Sequence, residues 1–246
     1  MPFADILLRV DPTAENEVER LAVAVDLSQR LHARLGGVFL ASDESNKANW
    51  AQTLFTRAVS KSPLETTWRV LNGHSSAALL FQARRSDLCI LPGAAGKRGE
   101  TYSAEQVAMD SGRPTLILPA AATASIGHNI LIGWNDSRES ARSIHEAMPL
   151  LLISEKVFVV TVLADDDLEP LADRRFAEHL IQHGVAAEIH RRRGDPAQEI
   201  AAEARELGAD ILVIGLRGER LGTKVVLGDV SQKFMRTVSL PVFCST

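Results

Sequence analysis

The sequence predicts an α/β fold made twice over: two tandem domains, each a doubly wound, five-stranded parallel sheet with helices on both faces. Three observations predict it. Short apolar runs alternate with helical patterns along the chain, the order of these segments repeats once, and the runs are nearly continuous in apolar residues. Strands read that way when both of their faces are buried, and a repeated unit must be recognised before any other feature is interpreted.

The first strands of the two halves are Asp5-Ile6-Leu7-Leu8-Arg9-Val10 and Asn129-Ile130-Leu131-Ile132-Gly133. Each runs into a polar turn with a hydroxyl residue two places on: Asp11-Pro12-Thr13 in one, Asn135-Asp136-Ser137 in the other. A helical pattern follows, and in the first half Val18, Leu21, Ala22 and Val25 fall at the spacing of a stripe that packs on a sheet. The second strands are Val38-Phe39-Leu40 and the run Val157 to Val162; the third are Thr66 to Val70 and Ala187 to His190. Gly73 and Gly194 open the next helices. In the second half, Asp195-Pro196 reads as N-cap and first helical residue, with Ala197, Ile200, Ala201, Ala204 and Leu207 as the apolar stripe. The fourth strands, Asp87 to Leu91 and Asp210 to Ile214, and the fifth, Thr115 to Leu118 and Val242 to Cys244, complete each set. The expected domains are 1–122 and 127–246, joined through small residues that follow Pro119.

Composition excludes several classes. The 246 residues are 46% apolar and 24% charged, an ordinary globular balance that leaves no room for disorder, collagen or coiled coil. A net charge of -4 argues against nucleic acid held by bulk electrostatics. No apolar run approaches the ~20 residues that span a bilayer, and the first residues lack the basic start and apolar stretch of a secretion signal. Two cysteines, Cys89 and Cys244, give no disulfide framework and suit a reducing compartment, so a cytoplasmic location without membrane partners is expected. The runs Asp165-Asp166-Asp167 and Arg191-Arg192-Arg193 read as solvated strand ends.

The segment with the most chemical content runs from Gly215 to Ser231, after the fourth strand of the second half. Gly215 and Gly218 permit a sharp turn and a close approach of backbone N–H groups to an anion. Gly228 comes ten residues after Gly218 and opens the last helix, where free N–H groups and the helix dipole favour phosphate.

With these residues the chain resembles the universal stress protein family, whose nucleotide-binding members share the pattern G-x2-G-x9-G-[S/T]. Gly215, Gly218 and Gly228 match it, whereas Asp229 stands where Ser or Thr closes the motif. The order of elements, the Val230-Ser231-Gln232-Lys233 segment and the Leu240-Pro241-Val242 ending extend the resemblance to two tandem copies. It implies a flavodoxin-like or adenine nucleotide α-hydrolase-like fold. It also implies a residue near the nucleoside at Asn135 (where the family has Asp), backbone contacts to adenine at Val162, and phosphates held at Gly215, Gly218 and Gly228. Arg217 adds positive charge to this loop.

Asp229 works against a phosphate. A carboxylate about 4 Å from a phosphate charge costs up to ~4 kcal/mol at an effective dielectric near 20. Arg217, Arg220 and Lys224 offset part of that, and a Mg²⁺ ion taking Asp229 as an oxygen ligand would reverse its sign. Alternatively Asp229 caps its own helix and the crevice holds no phosphate. In the first half Asp11 keeps its place, but Gln106 stands where the third glycine is required and Gly96-Lys97 has neither the glycine spacing nor the hydroxyl of a Walker A loop. That half reads as degenerate in its site with its fold retained.

Other constellations lead to bland readings. His179 and His183 share a helix face without further ligands, Cys89 and Cys244 read as buried small hydrophobes, and Trp134 fills space at a strand end. Two function classes follow from the resemblance. One is a stress-response module that takes ATP, ADP or AMP in the second half, with at most slow ATP hydrolysis because no general base is evident. The other is a nucleotide-free scaffold for protein interaction. In either, the resemblance implies an intrachain pseudo-dimer in which Thr115–Leu118 meets Val242–Cys244, open to further homodimerisation.

Overall fold

The computed structural model describes residues 2–41, 45–72, 76–93, 103–120, 125–163, 171–221, 224–227, 233–235 and 239–246. Two compact units emerge, Met1–Ile126 and Gly127–Thr246, and both have the α/β architecture expected of them.

In the first unit the elements run β1 (Asp5–Arg9), α1 (Glu17–Arg30), β2 (Arg34–Ala41), α2 (Ser45–Val59), β3 (Thr66–Asn72), α3 (Ser76–Ala83), β4 (Leu88–Pro92), α4 (Ala104–Ser111) and β5 (Thr115–Leu118). Its strands lie in the order β3-β2-β1-β4-β5, all parallel. The second unit runs β6 (Asn129–Gly133), α5 (Arg138–Leu151), β7 (Lys156–Leu163), α6 (Leu171–Gln182), β8 (Glu188–Arg193), α7 (Pro196–Glu206), β9 (Ile211–Gly215), a hairpin of β10 (Gly218–Leu221) and β11 (Lys224–Leu227), and β12 (Val242–Ser245). The order β12-β9-β6-β7-β8 repeats the first unit. In both, the first strand lies between the second and the fourth, so the direction of winding reverses beside it. Open α/β sheets bind their ligands at that reversal, outside the carboxyl ends of the strands.

The central strands are apolar because both faces are covered: Ile6, Leu88 and Ile90 in one unit, and Ile130, Ile132, Val213 and Leu212 in the other, are shut off from solvent. The aspartates that precede the fourth strands have matching tasks at the opposite edge of the sheets. Asp87 Oδ2 accepts the N–H groups of Ala4 and Asp5 (2.8 and 3.0 Å), and Asp210 accepts those of Gly127 and His128 (both 2.9 Å). Each ties the start of a first strand to the start of a fourth.

The helix termini follow the sequence closely where capping residues were legible. Asp195 caps α7 by accepting the Gln198 N–H (3.1 Å), with Pro196 at the first position, and Gly194 takes φ 131°, a value open to glycine. Helix α1 departs from expectation. Its buried residues are Glu17, Arg20, Leu21, Val23, Ala24, Leu27 and Ser28, whereas Val18 is 64% exposed and Ala22 and Val25 are half-buried. The helix carries two apolar stripes. The sheet takes the one through Ala24 and Leu27, because Glu17 and Arg20 pair with each other and can be buried on that side.

Candidate functional site

The turn after β6 is built by two side chains. Asn135 Oδ1 accepts from the Ser137 N–H (3.3 Å) and hydroxyl (2.7 Å), and Asp136 between them takes φ 54°. Ser137 in turn caps α5, its oxygen accepting the Ser140 N–H at 3.1 Å and the Ser140 hydroxyl lying 3.1 Å from the Ser137 N–H. The first unit has the same device: Asp11 Oδ1 accepts the Thr13 N–H (3.0 Å) and hydroxyl (2.7 Å). Such side-chain-to-backbone turns need an Asx residue with a partner two places on, which is what the repeated Asp-x-Thr and Asn-x-Ser supply. With Oδ1 occupied, the amide nitrogen of Asn135 is the group left to donate outward.

Beside this turn, β7 outruns β6. The register pairs Gly133 with Val160, and the next bond runs from the Trp134 N–H to the Val160 carbonyl (2.9 Å). Parallel strands direct the peptide groups of alternate residues to alternate neighbours. Val162 therefore turns its N–H and C=O to the same side as Val160, where β6 has already ended. Its other flank is the ladder with β8, in register with Arg192. Trp134 is buried at this level and stacks flat on Phe176 of α6, with ring centroids 4.1 Å apart and 6° between the planes. It fills space at the strand end, as its position suggested.

At the end of β9, Gly215 meets the start of α5. A β-carbon there would lie 2.7 Å from the Glu139 carbonyl oxygen and nearer still to the Glu139 carbonyl carbon and the Ser140 nitrogen. This glycine is required by close packing of two backbones, and the same packing places the strand end beside the turn of Asn135. Glu139 occupies the α5 N-terminus. Its carboxyl is held below the usual carboxylate range, chiefly by a bond from its own backbone N–H, against burial, and then by Arg138 and by the charge of Arg217.

The spacing from Gly218 to Gly228, expected to be an open loop, is in its described part an antiparallel hairpin. Gly218 pairs with Leu227 and Leu221 with Lys224. The described strands Gly218–Leu221 and Lys224–Leu227 run antiparallel, so Leu227, the residue before Gly228, lies opposite Gly218. Gly228 and Asp229 themselves lie outside the described residues. Among the described residues no group of three or more His, Cys, Asp or Glu side chains could hold a metal ion.

Two further groups at this half had no signal as a pair in the sequence. Lys233 reaches Asp195 Oδ2 (2.6 Å), joining the segment after the hairpin to the α7 N-terminus and holding the Asp195 carboxyl below its ordinary value. Glu203 of α7, fully buried, sits 2.7 Å from His190 Nδ1 and pairs with Arg192, both on β8. Periodicity assigns position 203 no apolar role, and only the charged residues of β8 could have pointed to it.

In the first unit the backbone of the corresponding turn is bonded from α1. The Glu17 carboxylate accepts the Asp11 N–H (2.9 Å) and pairs with Arg20, both side chains being about nineteen-twentieths buried. The segment around Gly96 and Lys97 lies outside the described residues.

Comparison with known proteins agrees with the fold. The model of the universal stress protein family matches residues 162–245. The universal stress protein YxiE of Bacillus subtilis is 37% identical over 65 residues, which are 26% of this chain and 44% of that protein; the match spans less than half the length of this relative. A universal stress protein from Archaeoglobus fulgidus has the same fold over 98% of both chains, with a TM-score of 0.77 at 18% identity. A functionally unknown protein from Pseudomonas aeruginosa superposes over 99% of this chain and 92% of its own, with a TM-score of 0.69 at 15% identity.

Proposed function

We propose that this chain is a tandem member of the universal stress protein family, a stress-response protein whose second half takes an adenine nucleotide at the carboxyl ends of β6, β7 and β9. One observation carries the reading: β7 extends past β6 and turns the peptide of Val162 toward the crevice beside Asn135. An adenine edge offers an exocyclic donor next to a ring acceptor, which complements one C=O and one N–H of a single residue. The Asn135 amide nitrogen would then donate to a ribose hydroxyl, and the backbone at Gly215 and Gly218, with Arg217, would face the phosphates.

The role of Asp229 belongs to the same proposal. With Mg²⁺ it would serve as an oxygen ligand of the ion; without the ion its charge would oppose a phosphate. No side chain among the described residues stands out as a general base, so binding rather than turnover is the activity proposed.

Calorimetric titration of the full chain with ATP, ADP, AMP and ITP, with and without Mg²⁺, tests this. ITP reverses the donor and acceptor pattern at the base edge and should bind at least about tenfold more weakly than ATP, the loss expected for mismatched buried hydrogen bonds. Asp229→Ser should reduce the Mg²⁺ requirement while keeping affinity. Absence of heat at millimolar ATP, or equal affinity for ATP and ITP, would overturn the proposal.

A further inference from the structure

The unused stripe of α1 does not face open solvent alone. Val18, Ala22 and Val25 form one wall of a groove whose other wall is Leu54 and Ala58 of α2, and the space between them is about 520 Å³. That volume is in the range of small-molecule sites, which are apolar clefts carrying a few placed polar groups. From Val18 to Gln29 the groove follows twelve residues of helix, about 16 Å from first to last at the helical rise. This is close to the length of an extended twelve-carbon chain.

The groove is lined by one acid, Asp26, and one base, Arg57. Asp26 and Gln29 on the α1 wall are already engaged, Asp26 by Arg30 (3.2 Å) and the Ser125 hydroxyl (3.1 Å), Gln29 by the Ser62 hydroxyl (3.1 Å). The α2 wall has no acidic residue over its fifteen positions, and Arg57, exposed at the groove, has no ion-pair partner among the described residues. An apolar trough with a cation at its rim is complementary to a tail with an anionic head.

We propose that the α1–α2 groove of the first unit binds a single-chain amphiphilic carboxylate, of the medium-chain fatty acid class, with its tail against Val18, Ala22, Val25, Leu54 and Ala58 and its head at Arg57. The site is separate from the crevice of the second unit and does not depend on nucleotide binding.

The test is a titration of the full chain with octanoate, decanoate and dodecanoate below their micellar concentrations. It is followed by calorimetry and by the change in tryptophan emission that a Trp50→Phe variant should lose, Trp50 being half exposed and one helical turn before Leu54. Binding should saturate at one ligand per chain and tighten about fourfold for each added methylene that is buried. Nonyltrimethylammonium, with the same nine-carbon tail as decanoate and the opposite charge, should bind at least fivefold more weakly than decanoate. Ala22→Phe and Ala58→Phe fill the groove from opposite walls; whichever keeps the parent melting temperature should lose dodecanoate at least tenfold. Arg57→Gln should weaken the carboxylates and erase their advantage over the cation. No saturable binding of dodecanoate, unchanged affinity in both filled variants, or equal affinity for the cation and the carboxylate would overturn the assignment.

Discussion

Gly215 and Glu139 touch through their backbones: the end of β9 passes so close to the first turn of α5 that a single added carbon at Gly215 would collide with the Glu139 carbonyl. The contact explains why a glycine closes the fourth strand of the second unit. It also fixes the distance between the Asn135 turn and the segment leading to Gly218. Gly215→Ala should therefore destabilise the chain by about 3 kcal/mol, the upper part of the range for overpacking, because backbone rather than a side-chain end must yield. Denaturant unfolding measures this, and a loss below 1 kcal/mol would show the contact to be soft.

The two Asx turns make a paired prediction. Ser137 serves both as partner of Asn135 and as cap of α5, so Ser137→Ala should cost about 1 to 2 kcal/mol. Thr13 serves Asp11 but caps no helix, since Asn16 occupies the N-cap of α1, so Thr13→Ala should cost roughly 0.5 to 1 kcal/mol. Thermal unfolding of the two variants side by side checks the order.

The Asp195–Lys233 pair predicts a pH effect of definite sign. Its carboxyl titrates below the ordinary 3.8, first through the bond from Lys233. A depressed carboxyl contributes stability that is present above the unfolded value and is lost as pH falls through the folded one. The loss therefore lies below pH 3.8. In Lys233→Met the Asp195 carboxyl should titrate closer to 3.8, and the acid limb of the stability curve should become shallower. Carboxyl chemical shifts of Asp195 followed by NMR give the direct reading.

Glu203 is fully buried with two partners that are only partly covered, His190 and Arg192. Removing one member of a buried pair costs more than the pair contributes, though here water can reach the partners left behind. Glu203→Gln should lower stability by about 2 kcal/mol and loosen the packing of α7 on β8, seen as faster amide hydrogen exchange along β8.

Much of this architecture was legible in the residues. The number of parallel strands and their succession along the chain followed from the repeat, and the Asp195-Pro196 start of α7 from capping chemistry. The buried face of α1 was not, because the residues from Val18 to Leu27 carry two apolar stripes and periodicity cannot say which one a sheet will take. The burial of Glu17 with Arg20 decides it, and a charge pair three residues apart reads as solvent-exposed in a sequence. The hairpin after Gly215 was hidden because the glycine pattern draws attention to turns, while Gly218–Leu221 and Lys224–Leu227 pair through backbone groups that any residue provides. Of the candidate site, Asn135 and Val162 were named by resemblance. The two features on which the proposal rests, an amide with its oxygen already used and a strand that outlasts its neighbour, required coordinates.

The most direct measurement is the amide NMR spectrum of the full chain during titration with AMP and, separately, IMP. The account predicts that the Val162 N–H moves strongly and saturably with AMP, together with the Asn135 side-chain amide and the Gly215 and Gly218 backbone, and that IMP reproduces little of the change at Val162. A Val162 signal that stays fixed while AMP binds, or one that responds equally to both nucleotides, would contradict it.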